Sequence, residues 1–228
     1  MAWSGRSLGV LGALVIVLAS CRAADPPRAA LTPTRTPLAR LTPDPARKLP
    51  PPGRTKGNPD APVTLVVYAD FQCPYSRQFA REVLPRLDDE YLKPGKTSFT
   101  YKYFPVIDQG RIGESHWAAY AAQCANEQGR FWEYHDQLYA EPRGANVGAF
   151  TRDNLKLYAV ALQLDLAQFN QCLDSDRYAA LILDHLVEAL QLKLPGTPTF
   201  LLNGRKMDTP TLDYTEFWKP LEAEIKAR

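Results

Sequence analysis

The run Cys73-Pro74-Tyr75-Ser76 sets a thiol between two different kinds of sequence. Before it, Val63 to Asp70 (VTLVVYAD) is almost continuously apolar or β-branched, as a strand buried on both faces requires. After it, Phe79, Val83, Leu84, Leu87 and Tyr91 recur at the spacing of a helix with one buried face. Cys73 therefore falls at a strand end and a helix start. A helix N-terminus presents unpaired N–H groups and about half a positive charge, both of which favour thiolate over thiol. Such settings lower a cysteine pKa from about 8.5 into a range of roughly 3.5–7.5. Pro74 at the first helical position costs no hydrogen bond and fixes the helix direction. On position alone, Cys73 is a candidate nucleophile and is expected to be an acidic, accessible thiol.

The elements that hold this thiol follow from periodicity. Pro85 is expected to kink the helix after Cys73. Residues 98–104 (SFTYKYF) alternate, with Phe99, Tyr101 and Tyr103 on one face, and read as a second strand joined to the first by a crossover helix. From about Gly113 to Leu192 only helical signals occur. Trp117, Ala121 and Cys124 share a face, as do Phe131, Tyr134 and Leu138, and Asp165 with Gln168 can form a capping box. Strand signals return at Thr199 to Leu202, followed by the turn pair Asn203-Gly204 and a short strand around Lys206 and Met207. Asp213 and Glu216 can cap a last helix bearing Phe217, Leu221 and Ile225, with Pro220 obscuring its start. The order βαβ, helical block, ββα predicts an α/β thioredoxin fold with a helical domain inserted at about residues 110–192.

With these elements placed, Tyr68-Ala69-Asp70-Phe71-Gln72-Cys73-Pro74-Tyr75 resembles the active-site segment of DsbA-type thiol-disulfide oxidoreductases, bacterial secreted proteins with a thioredoxin-like domain. The similarity continues through Gln123 to Gly129, Phe131 to Asp136 and Gly196-Thr197-Pro198-Thr199-Phe200, and so covers about residues 57–226. The resemblance implies that Cys73 is the attacking thiol and that Pro198 is a cis-proline whose loop faces it. It also implies that the Thr197 backbone pairs with a bound peptide in the manner of a strand, beside Pro74 and Tyr75. Local sequence alone leaves Pro198 open to being an ordinary trans proline.

Ser76 departs from the family, which usually carries a second cysteine there. Without it Cys73 cannot close an intramolecular disulfide, which leaves one-thiol chemistry: attack on a substrate disulfide, a mixed disulfide, and release by another thiol. The Ser76 hydroxyl can still donate a hydrogen bond to the thiolate. By resemblance Cys124 and Cys172 form a structural disulfide, the alternative being two buried free thiols. No cysteine or histidine spacing suits zinc, and His116, His135 and His185 read as isolated structural or solvated residues. Nothing suggests a nucleotide, flavin or metal cofactor.

The first 56 residues have a different composition. Arg6, the apolar run Leu8 to Leu18 and then Ala19-Ser20-Cys21 read as a targeting signal over residues 1–20. Its eleven apolar residues fall short of the roughly 20 a spanning helix needs. Leu18-Ala19-Ser20-Cys21 resembles the bacterial lipobox, so Cys21 is expected to be lipidated and to begin the mature protein; a conventional cleaved signal and an uncleaved anchor are the alternatives. Residues 22–59 hold ten of the twenty prolines, which predicts an extended tether over residues 21–56 before a domain at 57–228. Residues 22–56 carry eight Lys and Arg against Asp25 and Asp44, a net +6; with Arg6 the only other charge before the domain, the remainder carries −5 of the total +2. An acidic domain gives no reason to expect nucleic acid as a partner. Two functions stay open on the sequence. The first is extracytoplasmic thiol-disulfide exchange on exported proteins with cysteines, with a possible membrane redox partner. The second is a non-catalytic lipoprotein of the same fold that binds unfolded chains or a membrane partner.

Overall fold

The computed structural model describes residues 53–141, 144–208 and 212–227. These fall within one compact unit, Pro43–Arg228; the other, Met1–Thr42, lies outside the described residues. The expected signal peptide, the lipidation at Cys21 and the tether up to residue 52 therefore also lie outside them.

A five-stranded sheet of order β1-β3-β2-β4-β5 is built from β1 (Thr55–Gly57), β2 (Val63–Ala69), β3 (Thr97–Tyr103), β4 (Thr199–Leu202) and β5 (Arg205–Lys206). Strands β2 and β3 are parallel, and β4 runs antiparallel to β2 with Tyr68 opposite Thr199. This is the expected thioredoxin-type arrangement, with β2 in the centre where a nearly continuous apolar strand belongs. The turn pair Asn203 and Gly204 has φ of 49° and 76°, the doubly positive pattern of a tight hairpin turn. Strand β1 carries no periodic signal of its own. It corrects the tether boundary, because Thr55–Gly57, assigned to the tether up to residue 56, pairs antiparallel with β3. Its hold is tertiary: Arg54 donates to the Tyr101 carbonyl at 3.0 Å and the Lys56 ammonium lies 5.0 Å from the Trp132 ring centroid.

The helix after Cys73 runs as α1 (Pro74–Gln78), a π-helical turn (Phe79–Val83), α2 (Leu84–Leu87) and a second π-helical turn (Asp88–Leu92). The irregularity expected at Pro85 takes the form of a wider turn just before it, where the Leu84 N–H bonds to the Phe79 carbonyl. Proline has no N–H for an ordinary helical bond, and local widening accommodates that loss. The helical block comprises α3 (Glu114–Glu127), α4 (Phe131–Ala140), α5 (Arg152–Ala161), α6 (Leu166–Asp174) and α7 (Ala179–Gln191). Asp165 caps α6 by accepting from the Gln168 N–H at 3.0 Å, but the reciprocal half of the expected box is supplied by Gln128, whose Oε1 accepts from Asp165 N. The last helix, α8 (Tyr214–Lys226), contains Pro220 in its interior.

One face of the sheet packs Phe79 against Phe99, Phe200 and Phe217, with centroids 4.7–5.8 Å apart. Rings fully buried in this way contribute about 1.5–3 kcal/mol each through area removed from water. This layer packs the turn that follows α1 against β3, β4 and α8. The opposite face carries a smaller cluster of Tyr68, Phe104, Ala189, Leu194 and Leu201 beneath α7.

Candidate active site

Strand β2 ends at Ala69 and α1 begins at Pro74, so four residues make the connection, and their side chains go to three different places. Asp70 and Gln72 turn into a polar cluster under the helical block. Phe71 enters an aromatic cluster, stacked on Tyr101 at 5.3 Å with Tyr139 at 5.0 Å. Cys73 is the N-cap residue of α1, with its carbonyl accepting from Arg77 N and its N–H donating to the Asp70 carbonyl, both at 3.0 Å.

Because Tyr68 pairs with Thr199, the residues just before β4 come alongside those just after β2. The Cys73 thiol donates to the Thr197 carbonyl at 3.0 Å, and the Thr197–Pro198 peptide bond is cis. The structure thus brings Cys73, Pro74, Tyr75, Ser76, Thr197 and Pro198 to one end of the sheet. Tyr75 is 65% exposed and Pro74 is exposed, while Thr197 and Pro198 are half-buried. Cys124 and Cys172 lie away from this site and form a disulfide linking α3 to α6, with Cα atoms 5.8 Å apart. Cys73 is the free cysteine among the described residues.

Two expectations need correction. Cys73 is not an accessible thiol: only 5% of it reaches solvent, because the Thr197 loop and its own helix close over the sulfur. Ser76 does not donate to it. The Ser76 residue is 1% exposed and its hydroxyl meets no partner at hydrogen-bonding geometry. The Tyr139 hydroxyl is near enough for Cys73 and Ser76 both to influence it, but it is engaged with the Tyr101 hydroxyl at 2.9 Å and the Asp70 carbonyl at 3.3 Å. Burial keeps the Tyr139 phenol neutral far above its ordinary range.

Sequence reasoning assigned no role to the polar cluster. The Asp70 carboxylate accepts from Gln72 N at 2.9 Å, Ser115 Oγ at 2.7 Å and Ile107 N at 2.9 Å. Burial pushes its pKa up to about 6 against the lowering effect of these three donors. Gln72 reaches Ser115 Oγ at 2.8 Å and both Asp108 Oδ1 and Asn146 Oδ1 at 3.2 Å, and its own Oε1 accepts from Asn146 N. Asp108 sits on the N-terminus of α3, accepting from the N–H groups of Gly113, Ser115 and His116 at 3.0–3.2 Å. An anion is favoured there by the helix dipole. A Cβ at Gly113 would stand only 2.9 Å from Asp108 Oδ1, so the close approach needs glycine. Burial raises the Asp108 carboxyl, but His116, bonded to it at 2.7 Å, together with the helix N–H groups, outweighs burial and holds it below its ordinary value.

None of the three histidines is solvated or isolated. His116 pairs with Asp108, His135 with Asp136 at 2.8 Å, and His185 accepts from Tyr103 N at 3.3 Å. The signal for the cluster was present only as Asp70 and Gln72 standing inside the family-like stretch. Among the described residues, no three His, Cys, Asp or Glu side chains converge as a metal ion would need.

Comparison with known proteins agrees with this geometry. Residues 50–222 match a family model described as thioredoxin. Among curated proteins, a probable disulfide bond formation protein D of Bacillus anthracis is 30% identical over 174 residues, covering 75% of this chain and 77% of that protein. A Na(+)/H(+) antiporter NhaA 3 of Salinispora tropica is 35% identical over 155 residues, 68% of this chain, and the match spans only 22% of the antiporter's length. The crystal structure of oxidised BdbD from Bacillus subtilis superposes with a TM-score of 0.67 at 22% identity, covering 76% of this chain and 92% of that one. A thiol set between β2 and α1 beside a cis-proline loop, in a chain matched to the thioredoxin family over three-quarters of its length, places the protein in that family, with the DsbA-type proteins.

Proposed function

We propose that the protein carries out thiol-disulfide exchange through Cys73 alone, acting on cysteine-containing exported proteins or peptides outside the cytoplasm. The observation that carries this reading is the Cys73 sulfur at the N-terminus of α1, bonded to the Thr197 carbonyl, with Ser76 where a second thiol would stand. In the forward step the Cys73 thiolate attacks one sulfur of a substrate disulfide. A new S–S bond forms, the old one breaks, and the departing sulfur leaves as a thiolate that takes up a proton. A second thiol, from the substrate or a membrane redox partner, then attacks the mixed disulfide and returns Cys73. An incoming peptide displaces the Cys73 thiol from the Thr197 carbonyl and pairs with that backbone, against exposed Pro74 and Tyr75. The Ser76 hydroxyl, held by no other partner, is one helical turn away and can turn its hydrogen toward the thiolate. Lipidation at Cys21 and a basic Pro-rich tether would keep the domain at the outer face of a membrane, and mass spectrometry of the N-terminal peptide checks this.

The deciding experiment is capture of Cys73 adducts. Incubation with a disulfide-bonded peptide should give a stoichiometric mixed disulfide on the Cys73 peptide, discharged by added thiol and absent from Cys73→Ala. The low exposure of Cys73 favours a second reading, in which the fold only binds polypeptide. Peptide binding that survives Cys73→Ala, with no adduct in the natural protein, would establish that alternative.

A further inference from the structure

We infer that β1 is an acid-released strap: protonation of His185 expels the Arg54 side chain, frees the first strand from the sheet and uncovers the edge of β3. This device lies apart from Cys73 and does not depend on thiol exchange.

Strand β1 has three residues, none of them buried. It stands at the end of the strand order with β3 as its neighbour, so its departure leaves the β3 backbone unpaired on that side. An edge of that kind can pair with an extended chain. So short a strand is held mainly by its side chains and flanks. The Thr55 and Thr100 hydroxyls bond at 2.9 Å, and the Lys56 ammonium lies 3.6 Å from Asp88. Arg54, just before the strand, makes more contacts than either. Its carbonyl accepts from Tyr101 N at 2.9 Å, its Nη1 donates to the Tyr101 carbonyl at 3.0 Å, and its guanidinium lies 5.4 Å from the Tyr103 ring centroid. The same Nη1 faces Nε2 of His185 at 3.4 Å.

His185 is a buried residue of α7, stacked on Tyr103 with centroids 5.6 Å apart. Its Nδ1 accepts from Tyr103 N at 3.3 Å, so the hydrogen of the neutral ring sits on Nε2 and points at a guanidinium that can only donate. Both ring nitrogens therefore face N–H donors. A second proton breaks the bond from Tyr103 N and sets one positive charge 3.4 Å from another. The other groups around the ring do not relieve this. Lys102 of β3 is a further cation acting on it. Glu188 of α7 is taken by Lys102 at 2.6 and 2.7 Å, and Asp184 of α7 is exposed. From α3 comes Gln123, which is neutral and accepts from the Tyr103 hydroxyl at 3.0 Å, while the Tyr178 hydroxyl donates to Glu127. Burial, Arg54 and Lys102 together hold the His185 pKa well below its ordinary value.

Arg54 is the partner able to leave, since Lys102 is pinned by Glu188 and Tyr103 lies within β3. With Arg54 gone, Nε2 opens to water and the ring regains an ordinary pKa of about 6.5. Below that pH the open state binds the proton more tightly than the closed one. Each unit of acidity then favours opening about tenfold, until the closed state itself protonates. His135, in ring contact with the Trp132 on which Lys56 rests, has Asp136 at 2.8 Å as a counter-charge, so a proton there is compensated locally.

Hydrogen–deuterium exchange with mass spectrometry reads the opening on the full-length protein, stepped from about pH 7.5 to about pH 5 and corrected for the intrinsic exchange rate. Protection of the peptides carrying β1 and Tyr101 should fall at least about tenfold over this range, while β2 keeps its protection. His185→Gln stays polar but cannot titrate, and should lose this pH dependence. Arg54→Gln removes the repelled cation; it should lower β1 protection at the higher pH and flatten the response to acid. A merely structural role for either residue would change protection equally at every pH. Unchanged β1 protection in acid, a loss shared equally by β2, or the natural pH dependence persisting in His185→Gln overturns the inference. If His185→Gln does not fold, Arg54→Gln at the sheet edge decides, an undiminished response to acid being the overturning result. Exchange needs neither thiol nor substrate, so failure to form mixed disulfides would sink the proposed function and leave the strap standing.

Discussion

Cys73 and Thr197 are 124 positions apart in the chain and are joined by one hydrogen bond, thiol to carbonyl, at 3.0 Å. The same carbonyl that satisfies the resting thiol is the acceptor a substrate backbone would need. On the proposed reading, entry of a substrate backbone would release the sulfur.

Tyr75 is the large side chain beside this pair that solvent reaches most freely, at 65%. Tyr75→Ala should change unfolding free energy by less than about 0.5 kcal/mol, as surface substitutions usually do. The rate of mixed-disulfide formation with a peptide should fall severalfold, while the rate with a small disulfide such as cystamine should hold. Equal losses with both reagents would show that Tyr75 shapes the thiol and not the peptide.

Ser76→Cys replaces a buried hydroxyl that has no hydrogen-bond partner, so no bond is lost. The reduced variant should unfold within about 1 kcal/mol of the natural protein. The introduced sulfur should then close a reversible disulfide with Cys73 and let the oxidised variant oxidise reduced peptides, whereas the natural protein should only form mixed disulfides or catalyse exchange in the presence of added thiol. Thiol titration before and after oxidant gives the result; two titratable thiols that never pair would show that the helix start does not hold them in bonding geometry.

The Cys124–Cys172 disulfide spans a sequence separation of 48 and ties α3 to α6. Closing a loop of that length in the unfolded chain is worth about 4 kcal/mol in the loop-entropy account. Cys124→Ala with Cys172→Ala should lower the urea midpoint accordingly while leaving alkylation of Cys73 intact. Loss of both together would mean that the helical block holds the site through this link.

Buried ionisable groups set opposing slopes of stability with pH. Asp70 has a folded pKa of about 6, above its ordinary 3.8, so the folded state binds more protons between these values. Its contribution is full below about pH 4 and is lost as pH rises through 6, a penalty of roughly 3 kcal/mol above that. His185 and His135 run the other way: burial pushes both below 6.5, so their contribution is present above about 6.5 and lost as pH falls. Asp70→Asn should raise the urea midpoint at pH 7.5 relative to pH 4.5, and His185→Gln should weaken the fall in stability on the acid side. An Asp70→Asn profile parallel to that of the natural protein would refute the first assignment.

What the sequence determined by itself was local. The apolar run of β2, the helical spacing after Pro74 and the Asn203-Gly204 turn each signal their element through neighbours a few residues away, and together they place Cys73 at a strand-to-helix junction. What only the tertiary structure decided depends on partners distant in the chain. Thr197 covers the sulfur that the junction alone would have left open. Asp70 and Gln72 find Ser115 at separations of 45 and 43, and Gln72 finds Asn146 at 74, with no periodicity to announce them because a polar side chain's partner follows from packing. Strand β1 is three residues in a proline-rich, basic stretch, and it is a strand only because β3 offers it an edge.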